Sequence, residues 1–207
     1  MEQFSYNELL ANYDIRRLQQ NEKINAFDCG DADLNDFIIN EAHLYRNELI
    51  AVSYGLENKK TKDVTAYFSL ANDRVSVTDF ESNSAFNRFR RKRFAYEKRL
   101  RTYPAVKICR LAVAQSMRGK AIGSFLLDFI KSYFLVDNKT GCRFLVVDAY
   151  NKQNVLDFYE RNKFKFLYAD EETERTEQHI PNDAETIYTR HMFLDLLHTE
   201  VLIRPIV

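Results

Sequence analysis

QSMRGKAIGSFLLDFI, residues Gln115–Ile130, is the stretch that decides how this chain is read. The sequence holds only 5 glycines in 207 residues, below the roughly 7% of an average protein. Yet Gly119 and Gly123 stand at the junction of two patterns. Before them, AVKICRLAVA (Ala105–Ala114) is an apolar run expected to form a strand. After them, Ile122, Leu126, Phe129, Ile130 and Tyr133 recur at the spacing of one helix face. A glycine turn between strand and helix leaves backbone amides unpaired at the positive end of the helix dipole, an arrangement suited to a phosphate. Arg118 and Lys120 add full charges there. Neither G-x-x-x-x-G-K-[ST] nor G-x-G-x-x-G is present. The G-x-x-x-G spacing lies in too polar a segment to be a membrane dimer face.

Working outward, YDIRRL (Tyr13–Leu18) reads as a short first strand. DADLNDFIINEAHLY places Leu34, Phe37, Ile38, Ala42 and Tyr45 at helical spacing behind Asp31 as N-cap. ELIAVSYGLEN and VTAYFSLAND, separated by KKTKD, read as a hairpin. Phe86–Leu100 is expected to be helical, with Phe89, Tyr96, Leu100 and Tyr103 near one packing face. CRFLVVDAY, behind Gly141, has the continuous apolar character of a strand covered on both sides. NVLDFYERN reads as a short helix, KFKFLYA as a strand and ETIYTRHMFLDLL as a last strand. The order strand–helix–strand–helix over residues 105–160 implies a right-handed crossover and one parallel pair. Ligands in such sheets lie at the carboxyl ends of the strands, where Arg118–Gly123 falls.

With 45% hydrophobic residues the chain can bury a substantial core in one domain. Lysine and arginine total 30 and the acids 30, so no net field points to nucleic acid or membrane. The local distribution is uneven. Arg88–Arg101 carries eight basic residues and one acid, and Asp170–Glu185 seven acids and one arginine. These read as a basic helical insertion at about 79–103 and an acidic loop at about 170–185. Two solvated faces compensating each other are the simple account. Cys29, Cys109 and Cys142 form no C-x-x-C pair and read as reduced thiols. The four histidines have no ligand spacing, so no metal is expected. No leader-like or membrane-spanning run is present, and a cytoplasmic location is expected.

The turn, with its neighbours, resembles the GNAT superfamily of acyl-CoA-dependent N-acetyltransferases. The family signature [RQ]-x-x-G-x-[GA] lies on Arg118, Ala121 and Gly123, with Ala121 where the family usually has glycine. RLAV (Arg110–Val113) matches the preceding strand. NKQNVLDFYERNKFKF (Asn151–Phe166) is similar to the family's N-x-x-A-x-x-F-Y-x-x-x-G-F segment, with Val155 for the alanine and Lys163 for the glycine. The resemblance implies an α+β (mixed α/β) GNAT fold: a central, mostly antiparallel sheet with one splayed parallel pair and helices on both faces. Upstream, FDCGDADLNDFI (Phe27–Ile38) is similar to the F-x-C-G-x-x-x-L-x-x-F-L opening of bacterial toxin GNATs that acetylate aminoacyl-tRNA. AYFSLAND fits their second hairpin strand. As plain structure, Phe27, Leu34 and Phe37 would simply be core.

The resemblance further implies acetyl-CoA as cosubstrate, held by Arg118, Gly119, Lys120, Ala121, Ile122, Gly123 and Ser124, with Asn151 nearby. The amine would attack the thioester directly. Backbone amides of Leu111, Ala112 and Val113 would stabilise the oxyanion. Tyr159 would protonate the departing thiolate, and its alternative role is a core tyrosine beside Phe158. Asp148 is a candidate base that would equally serve to fix a loop. An α-amine titrating near ~7.7 needs less help than a lysine amine near ~10.4, so a site without a clear base suits the former. Candidate partners are an amine-bearing acceptor, tRNA, a small ribbon-helix-helix antitoxin and a second copy of the chain. A small-molecule or peptide acetyltransferase, and a non-catalytic CoA-binding or partner-binding module, remain as alternatives.

Overall fold

The computed structural model describes residues 5–94, 100–136, 140–181 and 187–199. Strands β1 (Tyr13–Arg17), β2 (Val52–Asn58), β3 (Val64–Ser76), β4 (Thr102–Val113), β5 (Phe144–Tyr150), β6 (Lys165–Phe166) and β7 (Thr189–Asp195) form a seven-stranded sheet. Its order is β1-β2-β3-β4-β5-β7-β6. Helices are α1 (Tyr6–Asn12), α2 (Ala32–Asp36), α3 (Ala42–Asn47), α4 (Asn83–Arg91), α5 (Ile122–Leu135), α6 (Gln153–Arg161) and α7 (Glu171–Glu177). A π-helical turn, Phe37–Glu41, joins α2 to α3. The chain divides into two compact units, and β3 and β4 each pass through both.

The first unit takes the chain up to Ala71 together with Ile108–Val136. In it the expected hairpin forms, β2 antiparallel to β3. The Asn58 side chain accepts from the amides of Lys60 and Thr61 and closes the turn. Asp31 caps α2 by accepting from the Leu34 amide at 3.1 Å. Phe27, Cys29, Phe37, Ile38, Tyr67 and Ala112 share one core. Helix α1 did not feature among the expected elements. Its signal is the capping box Ser5-Tyr6-Asn7-Glu8, in which each end satisfies the other's amide. Tyr6 donates to Asp128 of α5, which also pairs with buried Lys131 at 3.0 Å. Burial and the Asp128 contact push the Tyr6 phenol up.

The second unit comprises Asn72–Lys107 and the described residues beyond 136 up to Thr199. Here β4 pairs in parallel with β5, with Ala105–Lys107 against Phe144–Val146. Both strands run on past that register, as a splayed pair requires. Three expectations are corrected here. The basic helix is shorter: Ser82 caps it by accepting from the Ala85 amide, and it ends at Arg91. Tyr103 lies on β4 and Leu100 is exposed, because the chain has already turned toward that strand. Tyr96 lies outside the described residues. Finally, the acidic stretch begins as a helix, since Asp170 accepts from the Thr173 amide and acids fill the first turn. Residues 182–186 of that stretch lie outside the described residues.

Candidate active site

The turn is built from both sides by left-handed backbone. Gly119 has φ +76°, and Ala121, the N-cap of α5, has φ +61°. An L-residue held there is strained by about 1–2 kcal/mol. The amides of Ile122, Gly123 and Ser124 fall in the first turn of α5, where no intrahelical acceptor exists. A phosphate fits this end of the helix by charge and by donor geometry. The Arg118 amide, by contrast, donates to the Gln115 carbonyl at 3.2 Å.

What steadies the turn is the Phe27–Ile38 segment, in the same unit. The Arg118 guanidinium donates to the Cys29 carbonyl. Gln115 donates to Asp28 through its side chain at 2.7 Å and through its backbone at 2.9 Å. Asp28 also accepts from the Gly30 amide and from Asn35, and these bonds hold its carboxyl below the usual range. Gly30 has φ +77°, and a Cβ there would stand 3.2 Å from both Arg118 and Gln115. The C-G pair thus has a physical role beyond core filling. Leu111, Ala112 and Val113 lie on β4 beyond its last residue paired with β5, with Ala112 buried.

Tyr159 belongs to the second unit. Helix α6 ends with the Lys163 amide donating to the Glu160 carbonyl and the Phe164 amide to the Tyr159 carbonyl, with Lys163 at φ +74°. This paired closure carries an apolar contact between its ends, here Tyr159 and Phe164 with ring centroids 5.3 Å apart. Tyr159 is 6% exposed, and burial pushes its phenol up. Its hydroxyl has no hydrogen-bond partner among the described residues. Ala121 and Lys163, both read as departures from family glycines, thus stand where the backbone is left-handed. Asn151 uses its amide nitrogen on Glu171 (3.2 Å) and on the Ile187 carbonyl (3.0 Å), anchoring the approach to β7.

Asp148 is not free to act as a base. It pairs with Lys107 and, at 2.8 Å, with His191 Nε2. Burial would raise its pKa, but those bonds outweigh burial and lower it to about 2. His191 is opposed by burial and favoured by Asp148 and Glu174, which carry its pKa up to about 9. Glu174 on α7 is fully buried, accepting from Arg190 Nε and from the His191 amide, both at 2.5 Å. Sequence reasoning missed this cluster because its members come from four separated segments without a motif. A cavity of about 130 Å³ opens beside it, lined by Asp73, Asp79, Tyr168 and His191 among others.

The basic run divides in two. Arg93 stacks on Phe89 at 4.1 Å and pairs with Asp195, and Arg90 lies over Phe86. Arg88, Arg91 and Lys92 are exposed and carry no ion pair among the described residues. The described acids of the 170–181 stretch make no ion pair with the run, and Glu174 turns instead to Arg190 and His191. Among the described residues no cluster could hold a metal ion, and no helix is long and apolar enough to cross a membrane.

No protein-family model matches the chain. Solved structures do. AtaT complexed with acetyl-methionyl-tRNAfMet is 20% identical, with a TM-score of 0.62 over 89% of this chain and 95% of that one. AtaTR bound with AcCoA is 18% identical, with a TM-score of 0.66 over 90% and 95%. A KacTA–DNA complex is 21% identical, with a TM-score of 0.59 over 89% and 94%. At these identities the likeness establishes the fold: this chain has the GNAT fold in the form those proteins take.

Proposed function

We propose that this chain is one acetyltransferase domain that moves the acetyl group of acetyl-CoA to a primary amine, the α-amine of an aminoacyl-tRNA. The observation that carries the reading is the left-handed backbone at Gly119 and Ala121 opening α5, a phosphate-competent helix end following a strand that outruns its parallel partner. The fold shared with AtaT, seen with AcCoA and with acetyl-methionyl-tRNA, supports it. Ile122, Gly123 and Ser124 would hold the pyrophosphate through backbone amides, with Gly119, Lys120 and Arg118 shaping the approach. Amides of Leu111, Ala112 and Val113 would take the developing oxyanion. Tyr159, whose hydroxyl is unpartnered, would donate its proton to the thiolate. Asp148, held down by Lys107 and His191, is too weak a base for a lysine amine, which favours an α-amine with its far larger neutral fraction near pH 7. Exposed Arg88, Arg91 and Lys92 would meet RNA phosphates. A small antitoxin and a second copy of the chain are the protein partners this reading brings.

The test is radiolabelled acetyl transfer to mixed aminoacyl-tRNA beside a panel of small amines and peptides. Transfer to aminoacyl-tRNA is expected, with kcat about 100-fold lower in Tyr159→Phe and acetyl-CoA affinity unchanged. Transfer to small amines or peptides alone would overturn the tRNA part. Acetyl-CoA binding with no transfer to any amine would leave a non-catalytic module.

A further inference from the structure

The second unit contains a larger cavity, about 360 Å³, whose aromatic floor has no part in the acetyl-transfer reading. One wall is α4 and its C-cap, presenting Arg88, Phe89 and the cap residue Lys92. Phe80, Phe166 and Phe193 are also among its lining residues, and Lys165 reaches it from β6. Phe89 contacts both Phe80 and Phe193, at centroid distances of 4.9 and 5.3 Å. Phe80, Phe89 and Phe166 are only partly buried, so ring surface stays accessible in the cavity.

The charges are arranged differently from those of an ordinary solvated face. Arg93, already committed to Asp195 and stacked on Phe89 and Phe193, braces the aromatic floor. Arg88 in the last turn of α4 and Lys92 at its C-cap, whose backbone is still right-handed, are four residues apart and both line the cavity. They and Lys165 are exposed and have no ion pair among the described residues. Against these three cations the lining offers one carboxylate, Glu81.

From this composition we infer that the cavity binds a mononucleotide unit, its base stacked on the phenylalanine floor and its phosphate between Arg88, Lys92 and Lys165. Aromatic faces receive any base with little regard to sequence, and cations supply the phosphate contact. The volume falls in the range of small-ligand sites. An acidic peptide would satisfy the cations but leave the ring surface wet, so the floor selects the nucleotide. The same chemistry arises from a free nucleotide or from a residue of an RNA strand. The inference stands on this cavity alone and does not depend on acetyl transfer.

The experiment titrates the whole chain with adenosine 5′-monophosphate, with a short single-stranded oligoadenylate and, as controls, with pyrophosphate and a tetraglutamate peptide. All are run at saturating acetyl-CoA, because acetyl-CoA itself carries an adenine nucleotide. Adenosine monophosphate or the oligonucleotide is expected to bind at least tenfold more tightly than either control. Tighter binding of the monomer marks a free nucleotide as the source, and tighter binding of the strand marks RNA. The double variant Arg88→Gln, Lys92→Gln, at exposed positions, should weaken that binding at least tenfold, and Phe80→Leu should weaken it while leaving pyrophosphate unchanged. Equal binding of tetraglutamate, affinity unaltered in the double variant, or loss of all nucleotide binding when acetyl-CoA is present would overturn the assignment.

Discussion

The turn at Arg118–Gly123 is shaped by backbone, whereas the cluster around His191 is shaped by charge. In the turn, Gly119 and Ala121 adopt positive φ, and the amides of Ile122, Gly123 and Ser124 have no intrahelical acceptor. In the cluster, Asp148, Glu174, His191, Lys107 and Arg190 satisfy one another, leaving little for anything else. A site meant to bind keeps its donors idle, and a site meant to hold elements together uses them. The contrast moves Asp148 from candidate base to tie between β5 and β7.

The cluster should break hardest at Glu174. Glu174→Gln removes the charge that offsets buried Arg190 and leaves that guanidinium unpaired, at a cost of about 3–5 kcal/mol. Denaturant unfolding should show it as a large fall in midpoint. A change below ~1 kcal/mol would mean that the cluster is dispensable.

Its charge dependence sharpens the contrast further. His191 has its pKa raised from 6.5 to about 9, so its stabilisation is complete below 6.5 and disappears as pH rises through about 9. Asp148 is lowered from 3.8 to about 2, so its share is present above 3.8 and disappears as pH falls through about 2. A melting-temperature profile should therefore decline on its alkaline side between pH 6.5 and 9, and His191→Gln should flatten that limb. An unchanged limb in the variant would assign the decline to other groups.

How much of this was open to reading from sequence follows the same division. Backbone-shaped features are local and leave local marks. The glycine turn, the Asp31 cap, the hairpin and the strand–helix–strand order all stand in short stretches. Even Ala121 and Lys163, which break the family's glycine pattern, could be identified as odd, and both have left-handed φ. The capping box at Ser5 is equally local. Charge-shaped features were not open in this way. Glu174, His191 and Asp148 lie on three elements, and nothing in a run of acids tells which one points inward. In sequence the acidic stretch therefore reads as a loop and the basic run as one surface, although Arg93 is bound into the aromatic core and Arg88 is not.

The smallest effects should come from restoring the glycines. Ala121→Gly and Lys163→Gly each relieve left-handed strain and should stabilise the protein by about 1 kcal/mol. Only Ala121→Gly, which also removes a methyl group beside the phosphate approach, should tighten acetyl-CoA binding. Equal tightening by both would locate the effect in overall stability.

Thermal melting with and without acetyl-CoA tests most directly whether the turn is a cofactor site. At one hundred times its dissociation constant, acetyl-CoA should stabilise the wild-type chain by about 2.7 kcal/mol. Gly123→Val, which would crowd a phosphate approaching the first turn of α5, should abolish that rise. A wild-type melting temperature indifferent to saturating acetyl-CoA, or an equal rise in Gly123→Val, would contradict the assignment.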